Sequence, residues 1–471
     1  LADHLKAMLL GGDHARAKTA APHFLVSYAG QGGRMIEELS IADESRDLRT
    51  PKNKFGEGGY YKTSLDDARR AKQRARAVGK DFAIAALVWM QGEANGGLKG
   101  GIVPSRWQPE SPHPAGQQWY RDRLIAYRKK WSDDLRAITG QSGEIPMFTY
   151  QTLGAAGEAQ LMAADRDPHI YLVGPHYMVP SAVNGYRAGR HGAPIHLAAD
   201  GERWYGEQVG KVVHRVLAEG EDWQPLRPCK AWIDRARTSV LVEFTVPRPP
   251  LVIDESFFPR EQTEAEGGFA SLCGFQLRSA AGTRQALTAV EVESSTRVRI
   301  RLASALPTGA QCTLSYGLPY AGKLGVIAEI RKGPASESQP TTELVVEFHE
   351  SDGGLPAGLK SLVAEGAFNV QASAGKRYAQ ATIRSVQQDH GSTVLGCENA
   401  DLRGNAPFAV GQTLTALRIF PYGNLRDSDP EEAIYRFADK TYGTRAGQSY
   451  PLWNWCVLFS GFPIAETEAP N

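Results

Sequence analysis

The sequence places an amide, a glycine and a carboxylate directly after an apolar run. Residues 82–87 predict a strand that is buried on both faces, and Gln91, Gly92 and Glu93 follow it closely. Gln91 can donate a hydrogen bond, Gly92 lets backbone approach a ligand, and Glu93 can orient or charge a neighbouring group. In an open α/β sheet, ligands bind at the carboxyl ends of strands. The spacing indicates a polar site there, with an ordinary surface turn as the alternative.

A glycine-rich turn lies further toward the N-terminus. Residues 23–39 are typical of a short strand, a turn that contains Gly32 and Gly33, and the start of a helix. Backbone N–H groups exposed at such a turn can bind an anion or an oxyanion. A tight turn without any ligand is the alternative.

A histidine precedes the predicted start of another helix. His196 lies four residues before Asp200, which is a candidate N-cap. An imidazole at a site of this kind could act as a general base. A structural histidine is the alternative, and the two interpretations stay open on these residues alone.

Taken together, the three segments resemble the SGNH hydrolase superfamily, in particular the carbohydrate esterase branch with acetylxylan esterases and sialate O-acetylesterases. Its G-G-x-x-I block matches residues 32–36, its W-x-Q-G-E-[ASN]-[DN] block matches 89–95, and its D-G-x-H-L-x-x-x-G block aligns with 193–201. The resemblance covers roughly residues 1–220. The Gln-Gly-Glu block is fairly specific, and the other two are supportive.

The resemblance implies a serine esterase mechanism. His196 would be the base that activates a serine and then the acid that protonates the leaving sugar hydroxyl. Glu93 would stabilise the imidazolium. Gly32 or Gly33 N–H and the Gln91 side-chain amide would form the oxyanion hole.

The same resemblance makes Arg34 and Asn95 candidates for substrate binding. It implies no cofactor and no metal, and no cluster of ligands with metal-site spacing occurs in the sequence. Carbohydrate esters are the implied substrates, so we expect an acetylated polysaccharide or glycan as the partner.

Two departures from the family pattern matter. No G-Q-S nucleophile block precedes Gly32, and the chain opens at Leu1 in what reads as the middle of a helix. We therefore expect the nucleophilic serine upstream of residue 1. Ser27 is the rival inside the chain, although it lies in the middle of the predicted strand, and a scaffold that has lost activity is a further alternative.

The second departure is Ala193, which stands where the family usually has an aspartate three residues before the histidine. Alanine cannot hold an imidazole in one tautomer. Glu93 is then the best third member of the triad, with backbone groups near His196 as a second option. His191 is interpreted as a loop residue.

Composition is ordinary for a globular protein. The 471 residues suggest two to four domains, and 53 Lys and Arg nearly balance 52 Asp and Glu, which argues against nucleic acid or an anionic membrane as partner. No apolar run approaches the roughly 20 residues that a membrane span needs, and residues 1–10 do not resemble a signal peptide.

The five cysteines are widely spaced without a C-x-x-C pair, so buried thiols are expected, Cys456 among them.

The predicted architecture changes near residue 222. Before it, helices at 64–79 and 117–139 alternate with buried strands such as 145–152 and 170–175, and the resemblance implies a three-layer α/β/α flavodoxin-like SGNH domain over 1–224. After it, runs such as 239–246, 289–292 and 297–302 alternate as half-buried strands do. They predict a β-sandwich accessory domain at 229–322 plus 423–471, interrupted by a small β domain at 323–422.

The function expected from these features is that of an O-acetylesterase that deacetylates a polysaccharide or glycan. Residues 407–414 resemble modules of phage tail proteins, so we expect an extracellular protein, secreted or carried on a virion tail, and a tail protein would be expected to be trimeric. A non-catalytic glycan-binding or structural tail protein on the same fold remains open, and a lipid or aryl esterase is a weaker third option.

Trp453 and Trp455 suggest either a sugar-stacking platform or a core segment, and the core segment is favoured.

Overall fold

The fold is taken from a computed structural model of the chain. It describes residues 1–9, 24–40, 59–96, 116–179, 197, 199–257, 260–261, 263, 265, 271–317, 322–332, 343–348, 368–374, 377–383, 385–389, 392–396, 403–404, 408–418, 422–437 and 447–466. The chain divides into two compact units, Leu1–His176 with Gly206–Pro225, and Tyr177–Tyr205 with Leu226–Asn471.

Helices and a short parallel sheet alternate in the first part of the chain, which makes it an α/β structure. The helices are α1 (Ala2–Leu9), α2 (Ile36–Leu39), α3 (Gly59–Ala77), α4 (Gly116–Thr139), α5 (Gly154–Arg166) and α6 (Ala199–Leu217). The strands are β1 (Leu87–Trp89), β2 (Met147–Gln151) and β3 (Ile170–Pro175), and a 3₁₀ turn spans Glu93–Asn95.

The three strands form one sheet in the order β1-β2-β3, parallel throughout. All five residues of β2 are buried, as expected for a central strand of a parallel sheet. Side chains of α4 and α5, among them Leu124, Tyr127 and Ala159, join Leu87 and Trp89 in one core. The predicted strands at 145–152 and 170–175 and helices at 64–79 and 117–139 are confirmed with small shifts of their ends.

Two strand predictions are wrong. The apolar run at 82–87 contributes only Leu87 to β1, and Val88 is 41% exposed, so β1 is not buried on both faces. Within the described sheet, β1 lies at the edge and pairs only with β2. Residues 24–30 form no strand, and Leu25, Val26 and Tyr28 are exposed. Both predictions rested on apolar content, which does not show whether a neighbouring strand is available to pair with the whole segment.

A buried arginine fixes the sheet to its helices. Arg128 of α4 donates from Nε (3.0 Å) and Nη2 (2.7 Å) to Oδ2 of Asp167, which precedes β3. Glu144, which precedes β2, also pairs with Arg128. Because both carboxylates stand where strands begin, this ion pair sets the amino ends of β2 and β3 and leaves the carboxyl ends for the site.

The later part of the chain is built of antiparallel strands. They are β4 (Arg227–Ile233), β5 (Ser239–Thr245), β6 (Val252–Ile253), β7 (Phe275–Ser279), β8 (Arg284–Gln285), β9 (Leu287–Val292), β10 (Arg297–Leu302), β11 (Cys312–Tyr316), β12 (Gly322–Lys332), β13 (Glu343–Phe348), β14 (Phe368–Ala374), β15 (Arg377–Ile383), β16 (Ser385–Asp389), β17 (Ser392–Gly396), β18 (Arg403–Gly404), β19 (Thr413–Arg418), β20 (Leu425–Arg426), β21 (Glu432–Arg436), β22 (Ser449–Pro451) and β23 (Phe459–Pro463).

Two four-stranded sheets of this region have the orders β4-β5-β10-β9 and β23-β11-β7-β8. Their facing sides carry apolar residues, and the rings of Phe244 (β5) and Phe275 (β7) meet edge to face at 6.4 Å. Alternating burial along β10 fits a strand with one face in the core. The strands predicted at 239–246, 289–292 and 297–302 are confirmed.

A third sheet has eight strands, β16-β17-β13-β12-β19-β14-β15-β18, all from residues 322–418. The predicted division into three domains is a finer statement than these sheets establish and stays a prediction. No helix in the described part of the chain is long and apolar enough to cross a membrane.

The aromatic C-terminal segment packs inward. Trp455 is 1% exposed, and Cys456, Val457 and Leu458 beside it are buried. Trp453 is partly buried, with the guanidinium of Arg426 over its ring at 3.5 Å. Trp455 is therefore a core residue, which favours the core interpretation of this segment over a sugar platform.

Candidate functional site

The Gln91 side chain joins two loops. Its Nε2 donates to the backbone oxygen of Arg34 (3.1 Å) and to Oδ1 of Asn95 (2.7 Å), and its Oε1 accepts from the Tyr120 hydroxyl (2.7 Å). Gln160 of α5 donates to the Gln91 backbone oxygen (2.6 Å). Both N–H groups of the amide are used in these bonds, so Gln91 holds the loop after β1 in place.

Asn95 makes the second connection between the two motif loops. Its Oδ1 accepts from the backbone N–H of Ile36 (2.9 Å), and its Nδ2 donates to Oε2 of Glu37 (3.0 Å). The side chain is fully buried. The turn with Gly32 and Gly33 is thereby held beside the Gln-Gly-Glu segment.

Glu93 stands at the carboxyl edge of the sheet. Its Oε1 accepts hydrogen bonds from the hydroxyl of Tyr150, in β2, and from Oγ1 of Thr152 (2.6 Å), just after β2. No hydrogen bond to its Oε2 is formed within the described part of the chain, and the residue is partly exposed. Because β1 and β2 are parallel, their carboxyl ends bring these side chains to one edge.

Gly92 is required by the close approach of Thr152. Its φ is 156°, and a Cβ at this position would lie 2.5 Å from the Thr152 methyl group and 3.2 Å from the Ala156 Cβ. Real Cβ atoms do not approach so closely. The glycine of the Gln-Gly-Glu segment therefore allows the end of β2 to reach Glu93.

Glu37 is a buried carboxyl group behind Asn95. Burial raises its pKa to about 7, against the opposing effect of the Asn95 hydrogen bond and the more distant charge of Arg123. Its Oε1 accepts no hydrogen bond within the described residues. A carboxyl group that titrates near neutrality thus lies two hydrogen bonds from Gln91.

His176 follows β3 and closes the other side of the site. Its imidazole stacks on the Tyr150 ring with centroids 5.1 Å apart and planes at 26°. Burial lowers the pKa of His176, while the charge of Glu93 acts in the opposite direction. Its Nε2 is buried and has no hydrogen-bond partner among the described residues. The ring is enclosed, so it is a wall of the site rather than a base exposed to substrate.

The predicted residues fall into three groups. Gly32, Gly33 and Arg34 lie in or beside an accessible turn, and Arg34 Nη1 donates to Glu38 (2.9 Å). Gln91, Glu93 and Asn95 belong to the network after β1. His196, Ala193 and His191 lie outside the described residues, so a triad of His196 with Glu93 stays a prediction.

The rival nucleophile Ser27 has a different setting. Its hydroxyl donates to Oδ2 of Asp67 in α3 (2.9 Å), at an exposed position. Such a pair supplies no imidazole to activate the serine. The structure therefore offers nothing that favours Ser27 as nucleophile.

Five residues that support or line the site were not predicted from the sequence. Tyr120, Tyr150, Thr152, Gln160 and His176 belong to no motif of the resemblance. One indication was available: Tyr150 and Thr152 stand at the end of a predicted buried strand, as Gln91 and Glu93 do. Parallel pairing of the two strands would have placed them together. The helix contacts of Tyr120 and Gln160 have no such indication.

No protein-family model matches the chain, and no curated protein matches it. Among solved structures, a carbohydrate acetylesterase from Xanthomonas citri matches with a TM-score of 0.36 and 16% identity over 61% of this chain and 54% of that one. The chain thus spans about half the length of that acetylesterase. The N-terminal part of the bacterial S-layer protein SbsC matches with a TM-score of 0.16 and 12% identity over 75% of this chain and 83% of that one. These TM-scores define no fold, so the assignment of function rests on the residues of the site.

Proposed function

We propose that the protein is a carbohydrate O-acetylesterase, a serine ester hydrolase of the Ser-His-Glu type on a three-layer flavodoxin-like SGNH domain. The observation that carries the proposal is the setting of Glu93 at the carboxyl edge of the parallel sheet. Two hydroxyl groups hold its Oε1, and the glycine-rich turn is tied beside it through Gln91 and Asn95. A network with this many buried polar bonds is expensive to build, which favours function over a simple turn.

The proposed reaction begins when a serine oxygen attacks the carbonyl carbon of an acetyl ester while His196 accepts the serine proton. Glu93 stabilises the resulting imidazolium. Backbone N–H groups of Gly32 or Gly33 bind the oxyanion of the tetrahedral intermediate. The predicted contribution of the Gln91 amide would require one of its present hydrogen bonds to open.

Collapse of the intermediate breaks the bond to the sugar oxygen, which takes the proton from His196 and leaves as an alcohol. Water then attacks the acetyl-serine, again giving a proton to His196. Acetate leaves as the serine oxygen recovers that proton. The cycle uses no oxidant, reductant or metal, and the imidazole ends neutral as it began.

The substrate we propose is an acetylated polysaccharide or glycan outside the cell. The antiparallel β part of the chain is larger than a small-ester hydrolase needs, which supports a polymeric partner. Arg34 is partly exposed in the turn and could contact such a chain, whereas Asn95 could do so only if the buried network opened.

The test uses the intact protein with p-nitrophenyl acetate and an acetylated xylan. We expect His196→Ala to lower kcat/KM by on the order of 10³-fold or more. Glu93→Gln should also lower kcat/KM, but by a smaller factor. Glu158→Gln, in which a partly exposed glutamate of α5 is changed, is the control and should keep wild-type turnover. Labelling with a fluorophosphonate, followed by peptide mass spectrometry, would locate the nucleophilic serine.

Undiminished turnover in His196→Ala would remove His196 from the mechanism. Absence of both turnover and labelling in the intact wild-type protein would overturn the esterase assignment. Retained binding of the polysaccharide in that case would support the alternative, a non-catalytic glycan-binding or tail protein.

A further inference from the structure

The two hydroxyl groups on Glu93 converge on one carboxylate oxygen. Tyr150 and Thr152 both donate to Oε1, and Oε2 accepts no hydrogen bond from the described residues. Two donors on one oxygen restrict rotation of the carboxylate about its last torsion. Oε2 is then held in one orientation, in which it can accept a hydrogen bond from a donor at the carboxyl edge of the sheet.

Thr152 is itself held on three sides. Its backbone N–H donates to Oε1 of Gln160 (2.8 Å), and its methyl group lies against Gly92. Its carbonyl oxygen lies so near Gly157 that a Cβ there would come within 1.7 Å of it. Glycines at both places let β2, α5 and the loop after β1 meet at this threonine.

Tyr150 is held by ring packing. Its side chain is buried, and the flat face of His176 stacks on it. Burial and the nearby Glu93 raise the pKa of the Tyr150 phenol well above its ordinary value, so the hydroxyl keeps the proton that it donates. A hydroxyl that is always protonated donates to the carboxylate at every working pH.

We propose that Tyr150 and Thr152 are positioning residues that present Oε2 of Glu93 to the imidazole of the esterase site, with His176 holding the Tyr150 ring. This assignment rests on the proposed function. Neither hydroxyl touches the reacting atoms, because both point to Oε1. Their effect passes through the orientation of Glu93, which must stabilise the imidazolium in the transition state and not in the resting enzyme.

The kinetic test uses Thr152→Val, Tyr150→Phe and Thr152→Ser in the intact protein. The first two remove one donor each at nearly constant shape, and we expect kcat to fall by roughly 10-fold or more while KM stays within about twofold. Thr152→Ser keeps the hydroxyl and should restore most of kcat. A role in packing alone would give the opposite order, because valine keeps the methyl group that lies against Gly92 and serine loses it.

Matched controls remove hydroxyls that do not face Glu93. Thr149→Val changes a buried threonine of β2 whose hydroxyl donates to the Tyr150 backbone oxygen (3.1 Å). Tyr61→Phe removes a tyrosine–carboxylate bond to Asp134 (2.7 Å) elsewhere in the same unit. Both variants should keep kcat, and thermal melting should show that all variants are folded.

A second readout does not depend on turnover. In protein with ¹³C-labelled glutamate carboxyls, the Glu93 resonance, identified by its loss in Glu93→Gln, should move in Thr152→Val and Tyr150→Phe and return in Thr152→Ser. An unmoved resonance, or an unchanged kcat in an active enzyme, would overturn the positioning role. If the wild type hydrolyses no ester while the resonance moves as expected, the esterase function fails but the hydrogen bonds to Glu93 are confirmed.

Discussion

At the scale of single residues, Glu37 is a group whose charge near neutral pH depends on the fold. The unfolded chain ionises it near 4.5, whereas burial raises its pKa to about 7 in the folded chain. Between these pH values the folded chain holds a proton that the unfolded chain has released. The contribution of Glu37 to the free energy of unfolding therefore falls as pH rises through this window and changes no further above it.

This linkage predicts the behaviour of Glu37→Gln, which resembles the protonated acid at every pH. We expect the variant to match the wild type near pH 4.5 and to exceed its free energy of unfolding by up to about 3 kcal/mol at pH 8, since each pKa unit corresponds to about 1.4 kcal/mol. Urea denaturation at a series of pH values measures the difference. A difference between Glu37→Gln and the wild type that stays the same at every pH would show that the pKa of the Glu37 carboxyl is not raised by the fold.

Residue types and spacing could identify Gln91, Glu93 and Asn95 as a polar group, because they follow an apolar run within a few positions. They could not show that the side chains of Gln91 and Asn95 form hydrogen bonds with each other and with the loop at Arg34 and Ile36. That depends on the approach of two segments some sixty residues apart. The sequence of either segment alone does not indicate this long-range contact.

At the scale of elements, the loop after β1 depends on how closely the end of β2 can approach it. Gly92 and Thr152 are in contact at a distance that only a missing Cβ permits. The approach links the edge strand to α5 through Gln160 as well. A Cβ atom at position 92 should therefore disturb the loop after β1, the end of β2 and helix α5 together.

We predict that Gly92→Ala lowers the free energy of unfolding by about 2–4 kcal/mol, since overpacking adds to backbone strain. The matched control is Gly79→Ala, at a positive φ of 69° with no atom within 4 Å of the new Cβ. It should cost only about 1 kcal/mol, which is the backbone strain alone. Equal losses in the two variants, measured by urea denaturation, would mean that Thr152 moves aside without cost.

Elements were predictable where their sequence pattern matches their exposure. Strands β2 and β3 are apolar and mostly buried, whereas helix α3 is charged and mostly exposed, so in each case the pattern was sufficient. β1 is short, and residues 24–30 form no strand although they are equally apolar. Strand formation requires a neighbouring strand, and the identity of that neighbour is not encoded in the segment itself. The antiparallel strands after residue 226 were predictable because alternation reports one buried face.

At the scale of the whole molecule, the cysteines are arranged as thiols rather than as crosslinks. None of the four described cysteines forms a disulfide. Cys273, Cys312 and Cys456 are buried in the antiparallel β part, and Cys229 of β4 is exposed. Burial raises the pKa of the Cys312 and Cys456 thiols, which keeps them protonated and unreactive. The prediction of scattered thiols is confirmed for these four cysteines, and Cys397 lies outside the described residues.

Alkylation of the native protein should therefore be selective among these four. With N-ethylmaleimide near pH 7.5, we expect Cys229 to react first, although burial and the nearby Glu243 raise the pKa of its thiol and slow the reaction. Cys273, Cys312 and Cys456 should react only after denaturation, and without any reductant, because no disulfide has to be broken. Peptide mass spectrometry counts the modified sites, with Cys229→Ser as the control that abolishes native labelling in this set. A described cysteine that reacts only after reductant is added would reveal a disulfide and contradict this arrangement of thiols.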